Sequence, residues 1–178
     1  SRLHKKSIEI FKEYRKKFLT YITDTFQVLN QAIKEGKNIL LEGAHGVMFD
    51  NDFSSYPFST AINVVTGAVN TGAQDFGTKI DNIWGVVKAY TSRIGSGSFT
   101  NREIFDKNAD LIREKVKNRK TTGRPRRIGW LDLEAVKFII EICGINKIAL
   151  TKIDVLSGLK KLKIGIDYQI NGKRIEYS

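Results

Sequence analysis

The chain has 178 residues, 41% of them hydrophobic, including ten Phe, six Tyr and two Trp, enough apolar bulk to bury a core and too much for intrinsic disorder. Thirty Lys and Arg against 19 Asp and Glu leave a formal charge of +11. Cys143 is the only cysteine and no apolar run approaches the ~20 residues needed to span a bilayer, which excludes an internal disulfide framework and a membrane-spanning helix. With no secretory signal visible, a reducing intracellular compartment is expected, the cytoplasm or an organelle. Because the chain starts at Ser1 directly on an amphipathic segment, it reads as a piece of something longer.

Residues 7–35 read as one long helix, with Ile8, Phe11, Phe18, Tyr21, Ile22, Phe26, Leu29 and Ile33 at three- and four-residue steps. Ser7 is the expected N-cap and Gly36 the stop. Residues 1–36 are thus taken as a helical segment and 37–178 as one incomplete α/β domain. Lys12, Arg15, Lys16 and Lys17 cluster away from the apolar stripe. That stripe is expected to pack in a core rather than on a membrane. Asn38 to Glu42, nearly all apolar, suggests a buried parallel strand followed by a Gly43-Ala44-His45-Gly46 turn. Residues 50–80, rich in Asp, Asn, Ser, Thr and Gly, form a long loop region of the kind that carries function. A second buried strand is expected over Ile83 to Tyr90, a flexible joint at Gly95 to Ser98 and a helix over Arg102 to Lys117. A basic loop over Thr121 to Gly129, a helix over Asp132 to Cys143 and a strand over Lys147 to Lys152 follow. The chain closes on a hairpin, Ile164 to Ile170 and Lys173 to Tyr177, turning at Asn171-Gly172. Alternating strands and helices make the fold class α/β, a mainly parallel central sheet flanked by helices with a C-terminal β-hairpin.

Three constellations carry chemistry. Lys152 and Asp154 follow a strand end. Guanine offers N1–H and its N2 amino group side by side; one carboxylate accepts both, which adenine cannot match. A surface ion pair is the plainer alternative. Thr121-Thr122-Gly123-Arg124-Pro125-Arg126-Arg127 gathers hydroxyls and guanidiniums that suit carboxylate or phosphate oxygens. With ten Lys and Arg against four acids over Arg102 to Arg127, the stretch also suits RNA, and the segment from Lys115 to Arg127 is expected to be the main anion contact. The third is the His45 turn with Asp50, Asp52 and Thr60. With only His4 and His45 and one cysteine, no His/Cys metal site is expected.

In this order the segments resemble the adenylosuccinate synthetase family. Leu41-Glu42-Gly43-Ala44-His45-Gly46 resembles its LEGAQG; Tyr56-Pro57-Phe58 and Thr60 resemble YPY-x-T. Lys88-Ala89-Tyr90 with Arg93-Ile94-Gly95 resembles KAY-x-x-R-V-G. Thr121 to Asp132 is close to the family signature, and Leu150 to Leu156 is similar to LTKLDVL. The resemblance runs from about Lys37 to Tyr177. It implies GTP- and Mg²⁺-dependent joining of IMP and aspartate through a 6-phosphoryl-IMP intermediate, in purine nucleotide synthesis. It further implies that Lys152 and Asp154 hold guanine and that His45, Thr60 and Arg124 meet IMP. Ile94, Thr121, Thr122, Arg124 and Arg126 would meet aspartate.

His45 stands where the family has Gln, Asn63-Val64-Val65 where it has Asn-Thr-Thr, and Gly97 to Glu103 where it has GPFPTE. The family's phosphate loop, its catalytic Asp and His and its last guanine-contacting segment are not found in these residues. No catalytic residue and no metal ligand is therefore assigned in this segment, and the chain alone is expected not to make adenylosuccinate. Two readings stand: the middle section of the enzyme, with IMP, aspartate and GTP as partners and a homodimer open, or a shortened non-catalytic relative serving an RNA-rich assembly such as an organellar ribosome.

Overall fold

The computed structural model describes residues 2–73, 79–97, 99, 107–116 and 126–175. Contacts within the chain divide it into two compact units, Ser1–Glu42 with Val69–Thr78, and Gly43–Ala68 with Lys79–Ser178.

In the first unit the stretch expected as one helix is two: α1, Arg2–Phe18, and α2, Thr25–Lys34, with a 3-10 turn at Leu19–Tyr21. Ser7 lies inside α1 rather than capping it. The run Thr20-Tyr21-Ile22-Thr23 is poor in helix formers. Asp24 then restarts the helix as the N-cap of α2, its side chain accepting from the Gln27 N–H. Gly36 ends α2 as expected: at φ +66° it donates to the Ile33 carbonyl while Lys37 donates to Ala32, a Schellman closure. The apolar stripe, expected in a core, is exposed at Ile8, Phe11, Phe18, Ile22 and Phe26. Asn38 to Glu42 forms no strand, and Leu40 is 91% exposed. An apolar run becomes a central strand only where both its faces are covered.

In the second unit β1, Trp84–Lys88, runs parallel to β5, Lys147–Thr151, from Trp84 opposite Lys147 to Lys88 opposite Thr151. The Ala89 N–H extends the pairing to the Thr151 carbonyl at 2.8 Å. The first was expected to be buried, yet Trp84 and Val86 are exposed, as are Ile148 and Leu150 of β5, because among the described residues the sheet here is two strands wide. The strand expected to continue to Tyr90 stops at Lys88. A separate strand, β2, Thr91–Ile94, pairs antiparallel with β3, Arg126–Gly129, where a basic loop was expected. A short helix, α3, spans Ala68–Gly72, and α4, Lys107–Val116, lies between β2 and β3 in the sequence. The rest of its expected span lies outside the described residues.

α5, Leu133–Cys143, follows the pattern closely. Asp132 caps it by accepting from the Ala135 N–H at 3.0 Å, and Gly144 ends it at φ +62°. The buried Asp132 also accepts from the Tyr168 hydroxyl. β4, Leu131–Asp132, runs parallel to β6, Ile164–Gly165. The hairpin is β7, Tyr168–Ile170, with β8, Lys173–Ile175, turning at Asn171 (φ +51°) and Gly172 (φ +76°), the left-handed pair that a two-residue type I′ turn requires. The class is α/β, with parallel strands, helices and an antiparallel C-terminal hairpin.

The core gathers Tyr90, Ile112 of α4, Ile128 of β3, and Val155 and Leu156 from the 3-10 turn Ile153–Leu156 after β5. Ile112 and Ile128 are fully buried. This core ties the β1–β2 turn, α4, β3 and the end of β5 to one another. Ile128→Ala removes about three methyl-sized groups from its centre and is expected to cost about 2–5 kcal/mol in urea unfolding, with no change in the slope of the transition.

Candidate functional site

The loop carrying His45 and Thr60 is organised by one buried carboxylate. Asp50, with no exposed surface, accepts through Oδ1 from the N–H groups of Asp52 (2.8 Å) and Phe53 (3.3 Å). Its Oδ2 accepts from Val64 (2.6 Å) and Val65 (3.2 Å). Sequence reasoning placed Asp50 among the chemical groups; the geometry makes it a structural hub joining two turns of loop 14 residues apart. Asp52 accepts from the Asn63 side-chain amide at 2.7 Å, and the Thr60 N–H donates to the Phe49 carbonyl at 2.8 Å. His45 sits exposed at φ +64°, just before the 3-10 turn Val47–Phe49.

Arg93 joins this loop to β2. Its guanidinium lies over the rings of Phe49 (5.1 Å) and Phe58 (5.8 Å), and Nε donates to the Ser96 carbonyl at 3.0 Å. Burial, and then the charge of Arg127, pull the Arg93 guanidinium below its ordinary value. Gly97, at φ +107°, lies against both groups. A Cβ there would come within 2.4 Å of an Arg93 nitrogen and 2.8 Å of the Phe58 ring. Arg127 donates to the Gly97 carbonyl at 2.8 Å and stacks over Phe99 at 4.8 Å.

The β2–β3 register sets Ile94 directly opposite Arg126, so two residues assigned to one ligand from sequence share a cross-strand pair. Thr121, Thr122 and Arg124 lie outside the described residues. Lys115, expected to be an anion contact with the basic loop, instead donates to the carbonyls of Val155 (3.2 Å) and Ser157. It thereby fixes α4 against the turn that carries Asp154.

Lys152 follows β5 in the left-handed region at φ +63° and leads into the 3-10 turn in which Asp154 is exposed. The strand stops at Thr151, so the two residues are set by a turn and not by strand alternation. Thr151 Oγ1 donates to the Val87 carbonyl at 3.1 Å, pinning the carboxyl ends of β1 and β5 together. Among the described residues the Asp154 carboxylate has no ion-pair or hydrogen-bond partner, so it is free to accept a ligand's donors. No cluster of three His, Cys, Asp or Glu residues occurs among the described residues, and no helix there is long and apolar enough to cross a membrane. Lys88, Ser92 and Arg93 stood inside matched motifs without a role. Their contacts come from the β1–β2 turn, which no periodicity in the sequence announces.

A family model described as adenylosuccinate synthetase matches residues 3–178. The chain belongs to the adenylosuccinate synthetase family. Over 169 residues it is 47% identical to the adenylosuccinate synthetase of Caldanaerobacter subterraneus subsp. tengcongensis, covering 94% of this chain and 39% of that protein. Over 170 residues it is 47% identical to the one from Caldicellulosiruptor saccharolyticus, covering 95% and 40%. A fully ligated adenylosuccinate synthetase structure from Plasmodium falciparum superposes with a TM-score of 0.88 at 34% identity, over 97% of this chain and 41% of that one. A cyanophage S-2L succinoaminodeoxyadenylate synthetase shares the fold, with a TM-score of 0.56 at 21% identity. The chain thus spans about 40% of the length of the relatives it matches.

Asp50→Ala leaves four amide donors without their acceptor and is expected to lower stability by about 2–4 kcal/mol. Burial raises the Asp50 pKa, but the four backbone N–H groups outweigh it, so the folded value is lowered. The stabilisation is therefore complete above the ordinary carboxylate value near 3.9 and is lost as pH falls below it through the folded value. Unfolding midpoints measured from pH 7 down to pH 3 should approach one another for the parent and Asp50→Ala at the acid end; a constant gap would contradict the assignment.

Proposed function

We propose that the chain is the substrate-gathering middle of a GTP-dependent ligase that joins IMP to aspartate in purine nucleotide synthesis. In this reading Lys152 and Asp154 select guanine, His45, Thr60 and Arg124 meet IMP, and Ile94, Thr121, Thr122, Arg124 and Arg126 meet aspartate. The observation that carries the reading is a convergence. The Asp50-organised loop, the Ile94–Arg126 pair and the partner-free Asp154 all belong to one compact unit that includes the carboxyl ends of a parallel strand pair. Crevices at such ends are where open α/β sheets hold ligands.

GTP is expected to be held through its base here: an exposed carboxylate beside a turn can accept both guanine donors. Mg²⁺ would neutralise charge on the transferred phosphoryl group. The described residues offer no three-ligand set for it, so no step is assigned to it on this chain. The chain by itself is expected to bind without turning over, since no acid–base catalyst is assigned in it.

Competition binding of GTP and ATP to the 178-residue chain tests the reading. The parent should prefer GTP by about 5–150-fold, the worth of one paired contact at about 1–3 kcal/mol, and Asp154→Asn should abolish the preference. Equal affinities in the parent would refute it. Binding of structured RNA with a steep salt dependence, and of neither nucleotide, would point to the non-catalytic alternative.

A further inference from the structure

At the carboxyl end of β1 two cations, Lys88 and Arg126, meet on one hydroxyl, with no acid among the described residues bonded to either. Lys88 Nζ donates to Ser92 Oγ at 3.1 Å, and an Arg126 guanidinium nitrogen donates to the same oxygen at 3.2 Å. Arg126 lies diagonally across the β2–β3 ribbon from Ser92, on the same face. Lys152, at the end of the parallel partner strand, is close enough for its charge to act on Lys88. Among the described residues no carboxylate pairs with Lys88, Arg126 or Lys152.

A hydroxyl has two lone pairs and one proton. Here both lone pairs are taken by cations, so the Ser92 O–H can only donate onward. The ammonium keeps two further N–H donors and the guanidinium up to four. Hydroxyl, ammonium and guanidinium thus converge with donors to spare and, among the described residues, no further protein acceptor supplied. Like charges held this close repel unless an anion comes between them. The Lys88 ammonium carries that cost: desolvation first, then repulsion from Arg126 and Lys152, hold it below the ordinary lysine range. The residue as a whole is exposed, so the crowding is at the charged tip while the site stays open to a solute.

We infer that Lys88, with Ser92 and Arg126, forms an oxyanion-binding site at the carboxyl ends of β1 and β5, with Lys88 a ligand-binding residue in its own right. The inference deepens the proposed function and rests on it for the ligand class, a carboxylate of an amino-acid substrate or a phosphate of a nucleotide. The two share their chemistry, and the probes separate them.

The test titrates the 178-residue chain with succinate and, separately, with inorganic phosphate at low ionic strength, where charge–charge contacts are least screened. One probe should bind, and Lys88→Met should weaken it about ten- to a hundredfold, the worth of one charge-assisted hydrogen bond, while Lys88→Arg stays within a few-fold. Acylation of Lys88 by a small anhydride, followed by mass spectrometry, gives a second readout that needs no variant: the binding probe should slow modification at Lys88 more than at the solvated lysines of α1. Failure of both probes to bind and to protect Lys88 overturns the inference, as does unchanged affinity in a folded Lys88→Met. GTP-over-ATP preference is read in the same preparations. If it persists while the oxyanion probes fail, this inference alone falls; if it is absent while Lys88 is protected, the guanine assignment falls instead.

Discussion

A carboxylate with no exposed surface must be repaid for its lost hydration, and Asp50 is repaid by four backbone N–H groups. The segment it organises is rich in Ser, Asn and Asp and contributes no described residue to the apolar core. Such a chain has little apolar area with which to offset the cost of ordering its backbone. Its order therefore depends on polar closure: Asp50 to two stretches of loop, Thr60 back to Phe49, Asn63 to Asp52. Once the loop is closed, Phe49 and Phe58 present ring faces, and Arg93 can lie over them. Arg93 belongs to β2, so the closure reaches the strand that sets Ile94 opposite Arg126.

The second half of the unit is held differently. Tyr90, Ile112, Ile128, Val155 and Leu156 pack where the β1–β2 turn, α4, β3 and the turn after β5 meet. Three of these four elements bear a charged group beside the core: Lys88 before Tyr90, Arg126 before Ile128, Asp154 before Val155. Apolar packing thus fixes backbones whose neighbouring residues are charged. Lys115 reinforces this by bonding two carbonyls of the turn that carries Asp154. A site built on neighbours of core residues inherits the rigidity of the core, which lowers the ordering cost of binding.

The sequence made some of this legible and concealed the rest for physical reasons. α5 was readable because its cap, its apolar spacing and its terminal glycine agree, and the hairpin because Asn171-Gly172 takes left-handed backbone at little cost. The break before α2 was not, since a stripe that continues in register masks the weak helix formers from Thr20 to Thr23 and the cap at Asp24. β3 was read as a loop because arginines dominate it, yet its partner β2 supplies the ladder. Pairing across more than thirty residues leaves no local trace. Asp50 was visible as an acid and not as a hub, because its partners are backbone amides, which every residue has. The family resemblance marked Lys88 and Arg93 as parts of motifs; only the geometry gives them contacts. Exposed apolar residues on α1, β1 and β5 show that an apolar pattern does not by itself make a buried element: these faces have no cover among the described residues.

The central claim is that the polar closure of the loop and the core beside the strand ends form within this chain, before any ligand binds. Native-state hydrogen exchange on the 178-residue chain without ligand tests it at single amides. The N–H groups of Asp52, Phe53, Val64 and Val65, which face Asp50, and that of Thr60, which faces Phe49, should be protected together and should open in one step with similar free energies. Exchange of these five amides at the rate of an open chain, while α5 and the β1–β5 ladder remain protected, would contradict the account.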